Sequence, residues 1–354
     1  MKHEYSWHRR SMDAIHRGAL TNSKRLECFL EGYPSHFIKG NGAHLWDFNN
    51  KKYVDYICAL GSNLFGYGNT KITDAVVRQL QKGAVYSMGS TLEVEAAEKL
   101  KEVIQFVGKV RFSKNGADAC SNALRIAMAH TGRKKVLSHG YHGQHDAFVS
   151  LSPPAYGVPT QLHMETLHSL EQITEEIACV IIEPVITEWG QDRLLYLNAL
   201  REKCTKFGVL LIFDEIITGF RWPNYTVSQN FGITPDIICL GKAIGGGLPL
   251  SVVGTRPGIG ENVDWFISST FGGDTLALAA MVEVLSLLTS THKIGRLWGA
   301  GLSFIEKFNS YSDRVKISGY PTRGVFVGAD IDRAMFMQAA CNAGILFGPS
   351  FFFN

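Results

Sequence analysis

Short runs of consecutive apolar residues alternate with stretches of helical periodicity through the middle of the chain. Between Thr70 and Lys82, Ile72, Val76, Val77 and Leu80 fall on one helical face, and Leu92, Ala96, Leu100 and Val103 repeat the pattern between Leu92 and Ile104. The spacing predicts two amphipathic helices that face a core. Strand-like runs follow at 109–113, 134–139, 178–185, 209–216, 236–240 and 251–255, with helical stretches near 117–130, 195–206 and 275–289 between several of them. Such alternation predicts an α/β protein organised on a parallel sheet.

The runs at 178–185 and 209–213 are apolar on successive residues rather than alternate ones. That pattern belongs to strands covered by helices on both faces. Polar residues appear where these strands end, and the carboxyl edge of an open α/β sheet is where ligands bind. Glu183, Asp214 and Lys242 are therefore site candidates from position alone. The segments 1–60 and 291–354 have hairpin-like pieces and fewer buried strands, which assigns them jointly to a small α+β domain beside a large domain over 61–290.

Composition narrows the function classes. Hydrophobic residues make up 45% of the 354 and charged residues 19%, an ordinary globular balance that excludes a disordered or fibrous chain. A formal net charge of +3, without a basic block, gives no footprint for nucleic acid or a membrane surface. The seven cysteines are scattered, odd in number and never spaced as C-x-x-C, so neither a disulfide framework nor a metal site is expected. The first twenty residues mix both charge signs and lack the apolar stretch of a signal peptide. No apolar run approaches the roughly 20 residues of a membrane span. A soluble, cytoplasmic protein is the expectation.

Four local features could carry chemistry. Lys242 follows the run DIICL and precedes Gly245, Gly246 and Gly247, a setting that lets backbone approach a bulky ligand around an amine. On its own it fits a surface lysine opening a loop equally well. Asp214 ends the strand VLLIFD, where an unpaired carboxylate would lose its hydration and so needs a cation. A protonated ring nitrogen would serve; so would an Arg or Lys, and a helix cap is a further reading. Asn115-Gly116-Ala117 joins a strand to a helix, where free N–H groups suit a phosphate, although a plain tight turn capped by Asn fits too. Tyr141, ahead of His142 and Gly143, could stack on a planar ring, and a core tyrosine is the commoner fate.

Taken in order and spacing, NGADACSNALRIAMAHTGRKKV, GYHG, IIEPV, LLIFDEIITGFR, PDIICLGKAIGGGLP and STFGGDTLALAA resemble the class III pyridoxal phosphate aminotransferases of fold type I. The likeness runs from about residue 36 to residue 290 and is greatest to the glutamate-1-semialdehyde aminomutase branch. It implies a large domain with a mostly parallel central sheet covered by helices, and a small domain from both chain ends. It also implies pyridoxal 5′-phosphate as cofactor. Lys242 resembles the lysine that forms the internal aldimine and moves protons, and Asp214 the acid that holds the pyridinium. Tyr141 and Ile216 would lie against the two ring faces, with Asn115, Gly116 and Ala117 at the phosphate. His142 is similar to the histidine after the stacking aromatic, and Glu183 to the acid that orders the region around Asp214. Thr270 resembles a threonine that reaches the phosphate from a partner subunit, which implies a homodimer with shared sites.

Departures from the family pattern shape the expected reaction. Ala117 stands where relatives often carry a hydroxyl, and Thr187-Glu188 replaces the Gly-Asn of the aminomutase branch. Ile217 stands where ornithine-type relatives have Gln. The segment QHDAFVSLSPPAY is shorter than the aminomutase's mobile loop, which favours transfer between two substrates over an internal shift. Arg25 has a spacing before Pro34 similar to that of the aminomutase's substrate-carboxylate arginine. The expected activity is ping-pong transfer of an amino group from a donor such as glutamate to a semialdehyde, keto-sugar or similar carbonyl compound in biosynthesis. Glutamate-1-semialdehyde 2,1-aminomutase is the alternative enzyme, and a non-catalytic scaffold on the same fold the alternative of another class.

Overall fold

The computed structural model describes residues 4–29, 32–151, 157–158 and 163–354. By contacts the chain divides into two compact units, one of 1–69 with 299–354 and one of 70–298. The division after 69 rather than 60 reflects Tyr67, which pairs with Gly42 through the backbone and donates its hydroxyl to Asp55 at 2.7 Å.

In the 70–298 unit a seven-stranded sheet carries β1 (Lys109–Ser113), β2 (Lys135–His139), β3 (Met164–Thr166), β4 (Ile177–Ile182), β5 (Leu210–Asp214), β6 (Ile237–Leu240) and β7 (Ser251–Thr255). Their spatial order is β1-β7-β6-β5-β4-β2-β3. The pairs among β3, β2, β4, β5 and β6 are parallel, while β7 runs antiparallel to both β6 and β1. The sheet is thus mostly parallel with an antiparallel edge. Strand β3, only three residues long, has no signal in the hydrophobic pattern.

Helices α1 (Thr70–Leu80), α2 (Thr91–Val103), α3 (Gly116–Thr131), α4 (Gln191–Phe207) and α5 (Thr275–Thr291) belong to the same unit. Helix α3 packs on β4, β6 and β7, and α4 packs on β5. The sheet has two cores in consequence. Cys179, Ile181, Leu210 and Ile212 join Ala119, Cys120, Ala123 and Ile126 of α3 on one face. Val180, Ile182, Leu211 and Phe213 join Leu197, Leu200 and Cys204 of α4 on the other. Successive strand residues point to opposite faces, so both cores demand apolar side chains from the same strand. Helix α5 is buried along most of its length and packs against α1 and α2. Among the described residues no single helix is long and apolar enough to cross a membrane.

The other unit has a four-stranded sheet (Phe37–Asn41, His44–Asp47, Lys52–Asp55, Ile345–Leu346) and a three-stranded antiparallel sheet (Val315–Tyr320, Arg323–Gly328, Phe351–Phe352). The hairpin-like stretch 36–56 forms the three antiparallel strands of the first sheet, and the unit also holds the helix Asp330–Asn342, which the sequence pattern did not single out. Phe304, Phe308, Phe326, Phe336, Phe347 and Phe351 form its core. The final strand is stitched in: Phe352 donates its N–H to Tyr56 O at 2.7 Å, and Phe351 lies over Gly324, where a Cβ would come within 2.2 Å of the ring.

Candidate active site

Asp214 is the last residue of β5 and only 4% exposed. Burial of a carboxylate is costly without donors, and three are present. Its Oδ1 accepts the Ile216 N–H at 3.0 Å, and its Oδ2 accepts from His142 Nδ1 at 2.7 Å and from Cys120 Sγ at 3.3 Å. Burial alone would lower the pKa of His142, but the hydrogen bond to Asp214 and its charge outweigh burial and push the imidazole up to about 10. Burial pushes the Cys120 thiol well above its ordinary value, so its sulfur keeps a proton to donate.

The loop after β2 presents neighbouring side chains in opposite senses. Gly140 has φ +109°, and a Cβ there would fall 2.8 Å from Glu183 Oε1, so glycine alone fits. Tyr141 donates its backbone N–H to the same Glu183 Oε1 at 2.8 Å and leaves its ring 68% exposed. His142 turns inward to Asp214. Gly143, at φ +107°, lies so near the start of α3 that a Cβ would come within 2.5 Å of Ala117 Cβ. Arg193 of α4 fixes the next loop by donating to Glu183 O at 3.0 Å and Pro184 O at 2.7 Å.

Helix α3 opens beside these groups. Asn115 is its N-cap, and Asp118 accepts from Asn115 N at 2.8 Å and Lys114 N at 3.2 Å. Ser251 of β7 donates its hydroxyl to Asn115 O at 2.6 Å and ties the turn to the sheet. The first intrahelical bond runs from Ala119 N to Asn115 O at 3.2 Å. The N–H groups of the first turn have no partner within a helix and carry its positive end. Ile216 lies between two glycines: a Cβ at Gly116 would be 3.1 Å from its Cγ2, and one at Gly241 would be 3.0 Å from its Cδ1. Lys242 follows Gly241 with φ 45°, a left-handed conformation that is uncommon in a lysine and found disproportionately at functional sites.

This arrangement suits a flat, anionic, ring-containing cofactor. An exposed aromatic ring, a buried carboxylate, a helix start and a lysine come from the carboxyl ends of β2, β5, β1 and β6 on one sheet edge, and two glycines beside Ile216 keep the floor free of Cβ atoms. Asn115, Gly116, Ala117, Tyr141, His142, Glu183, Asp214, Ile216 and Lys242 all lie in the 70–298 unit. Thr270 lies in the same unit but is exposed, in the turn before α5, and lines a cavity of about 1040 Å³ together with Asp118, Ser121 and Arg125. Arg25 belongs to the other unit, where its guanidinium donates to Asn22 Oδ1. The segment 144–156, expected to be too short to serve as the aminomutase's lid, falls partly outside the described residues, at 152–156. Cys120 is the contact that sequence reasoning passed over; its one signal is a place one helical turn beyond the turn at 115–117, on the apolar face of α3.

The chain belongs to the class-III aminotransferases, whose family profile matches residues 32–163 and 157–351. It is a pyridoxal phosphate-dependent enzyme of amino-group transfer with the type I fold. The glutamate-1-semialdehyde 2,1-aminomutase of Methanocella arvoryzae is 33% identical over 296 residues, covering 75% of this chain and 70% of the relative. Among solved structures, the FumI protein of a Sphingopyxis species, in its PLP internal aldimine form, superposes with a TM-score of 0.90 at 25% identity over 99% of this chain and 90% of that one. A glutamate-1-semialdehyde aminomutase from Pseudomonas aeruginosa gives 0.83 at 18% identity over 99% and 89%, a likeness of fold.

Proposed function

We propose that the protein is an aminotransferase whose amine-bearing residue is Lys242 and which moves an amino group from glutamate or a similar donor to an aldehyde or ketone. Bound pyridoxal phosphate supplies an electron sink and a carbonyl that accepts and releases the amino group. The hydrogen-bonded pair of His142 and Asp214 carries the assignment, because a buried carboxylate held on two sides keeps one direction for a cationic ring nitrogen. Asp214 orients that ring and offsets its charge. Tyr141 would cover one face of the ring and Ile216 the other. Asn115, Gly116 and Ala117 direct N–H groups and the positive end of α3 at the phosphate. Lys242 would hold the cofactor through Nζ, and the same amine would serve as the base that moves a proton at the substrate's Cα. Glu183 holds the Tyr141 backbone in place, a positioning role.

Thr270 and the cavity around it support a homodimer in which this turn reaches the phosphate of the other subunit. Arg25 is the candidate for the substrate carboxylate. The cytoplasm is the proposed location and a biosynthetic step the proposed setting, on the cysteine pattern and the class of acceptor.

The aminomutase relative at 33% identity supports a second reading, an internal shift of one amino group within a single substrate. The two readings differ in whether product forms with no separate donor present. The decisive experiment is the visible spectrum of the protein loaded with pyridoxal phosphate, before and after glutamate, followed by borohydride trapping and peptide mapping. A band that maps to Lys242 and bleaches with glutamate is expected. A Lys242→Ala protein that still attaches the cofactor covalently and transfers amine would overturn the assignment.

A further inference from the structure

Among the groups around Asp214, Cys120 has no role in the reading above. Its side chain is fully buried on α3, and its sulfur lies 3.3 Å from Asp214 Oδ2. The reactive atoms of Cys120, His142 and Asp214 all fall within 4.8 Å of one another, so the sulfur completes one compact cluster. Asp214 also pairs across the sheet with Cys239 of β6, whose carbonyl accepts the Glu215 N–H at 2.9 Å. The Asp214 backbone is therefore held by the sheet and its Oδ1 by the Ile216 N–H at 3.0 Å, and what Cys120 adds is a third donor to the carboxylate's charge.

We propose that Cys120 is a positioning residue that sets how strongly Asp214 holds the cofactor's ring nitrogen, with a weak S–H donor drawing charge from Oδ2. The inference rests on the assignment of Asp214 to that nitrogen. A thiol is a poor donor compared with the imidazole at 2.7 Å on the same oxygen. It draws less charge from Oδ2 than a hydroxyl would, and more than no donor at all. A firmly charged ring nitrogen in turn disfavours a second positive charge at Lys242 Nζ, so Cys120 acts on the proton there through Asp214.

The test is a spectroscopic titration of the loaded holoprotein in wild type, Cys120→Ala and Cys120→Ser. The reading is the pH midpoint of the visible band, with circular dichroism to check the fold. Cys120→Ala removes the donor, and its midpoint should fall by about half a pH unit; Cys120→Ser supplies a stronger donor, and its midpoint should rise by a similar amount. Both replacements are smaller than cysteine, so a merely space-filling role would move both midpoints in one direction. Midpoints that shift together, or neither shifting, would overturn the proposal. If Cys120→Ala does not fold, Cys120→Ser decides alone: a rise supports the role, and an unchanged or lowered midpoint removes it. A wild-type protein with no visible band would instead overturn the assignment of Asp214 and Lys242, and this inference with it.

Discussion

His142 donates through Nδ1 to Asp214 Oδ2 at 2.7 Å, and the two residues are 2% and 4% exposed. They come from the loop after β2 and the end of β5, 72 residues apart. The imidazole's pKa is raised to about 10, so its bond to Asp214 stabilises the fold fully below the ordinary histidine range near about 6.5 and loses that contribution as pH rises through about 10. The wild type should exceed His142→Ala by about 2 kcal/mol at pH 6 to 7, the worth of a hydrogen bond between charged groups. Denaturant unfolding at several pH values should show the difference shrinking from about pH 6.5 upward and lost above about pH 10. A difference that stays constant to pH 11 would contradict the pairing.

Tyr141 gives a cleaner separation of stability from function. Its ring is 68% exposed, so Tyr141→Ala should leave the thermal midpoint of the cofactor-free protein unchanged. Cofactor affinity should fall roughly fivefold, about 1 kcal/mol, which is the scale of one stacking contact. Titration with pyridoxal phosphate measures it, and an unaltered affinity would remove Tyr141 from the ring's face.

Gly143 and Gly190 have nearly the same positive φ, +107° and +109°, but different surroundings. A methyl at Gly143 meets Ala117 at 2.5 Å, whereas nothing lies within 4 Å of one at Gly190. Both alanine variants should lose about 1 to 3 kcal/mol to strain. Only Gly143→Ala should also displace the start of α3, with a cofactor affinity reduced about tenfold. Equal affinities in the two variants would show that the Ala117 contact does not govern the phosphate turn.

Phe351, fully buried among Phe304, Phe326 and Phe347, anchors the last strand. Phe351→Ala should cost about 3 to 5 kcal/mol, the usual loss for a large aromatic removed from a core. Thermal unfolding together with amide exchange over 315–328 would locate the loss in the three-stranded sheet. Protection there at the wild-type level would refute it.

The central strands and the carboxyl-edge positions of Glu183, Asp214 and Lys242 could be read directly from the chain, because a strand buried on both faces must be apolar throughout and a break in that run stands out. The helix Asp330–Asn342 escaped that reading: only Cys341 is buried along it, so its apolar residues leave no clear stripe. Strand β3 escaped because three residues are too few to show a period.

The amino-acid sequence alone determined the class of fold and the residues at the sheet edge, since these follow from local periodicity and from side-chain types at fixed spacings, and the resemblance of its motifs to a known family supplied the cofactor. Tertiary structure decided which groups touch. Cys120 and Asp214 are 94 residues apart in the chain, and no local pattern records that the inner face of α3 brings one sulfur to one carboxylate. The opposite senses of Tyr141 and His142 were likewise settled by the fold, through two positive-φ glycines pinned by Glu183 and Ala117. Contacts of this kind depend on how distant segments pack, and packing is a property of the whole chain.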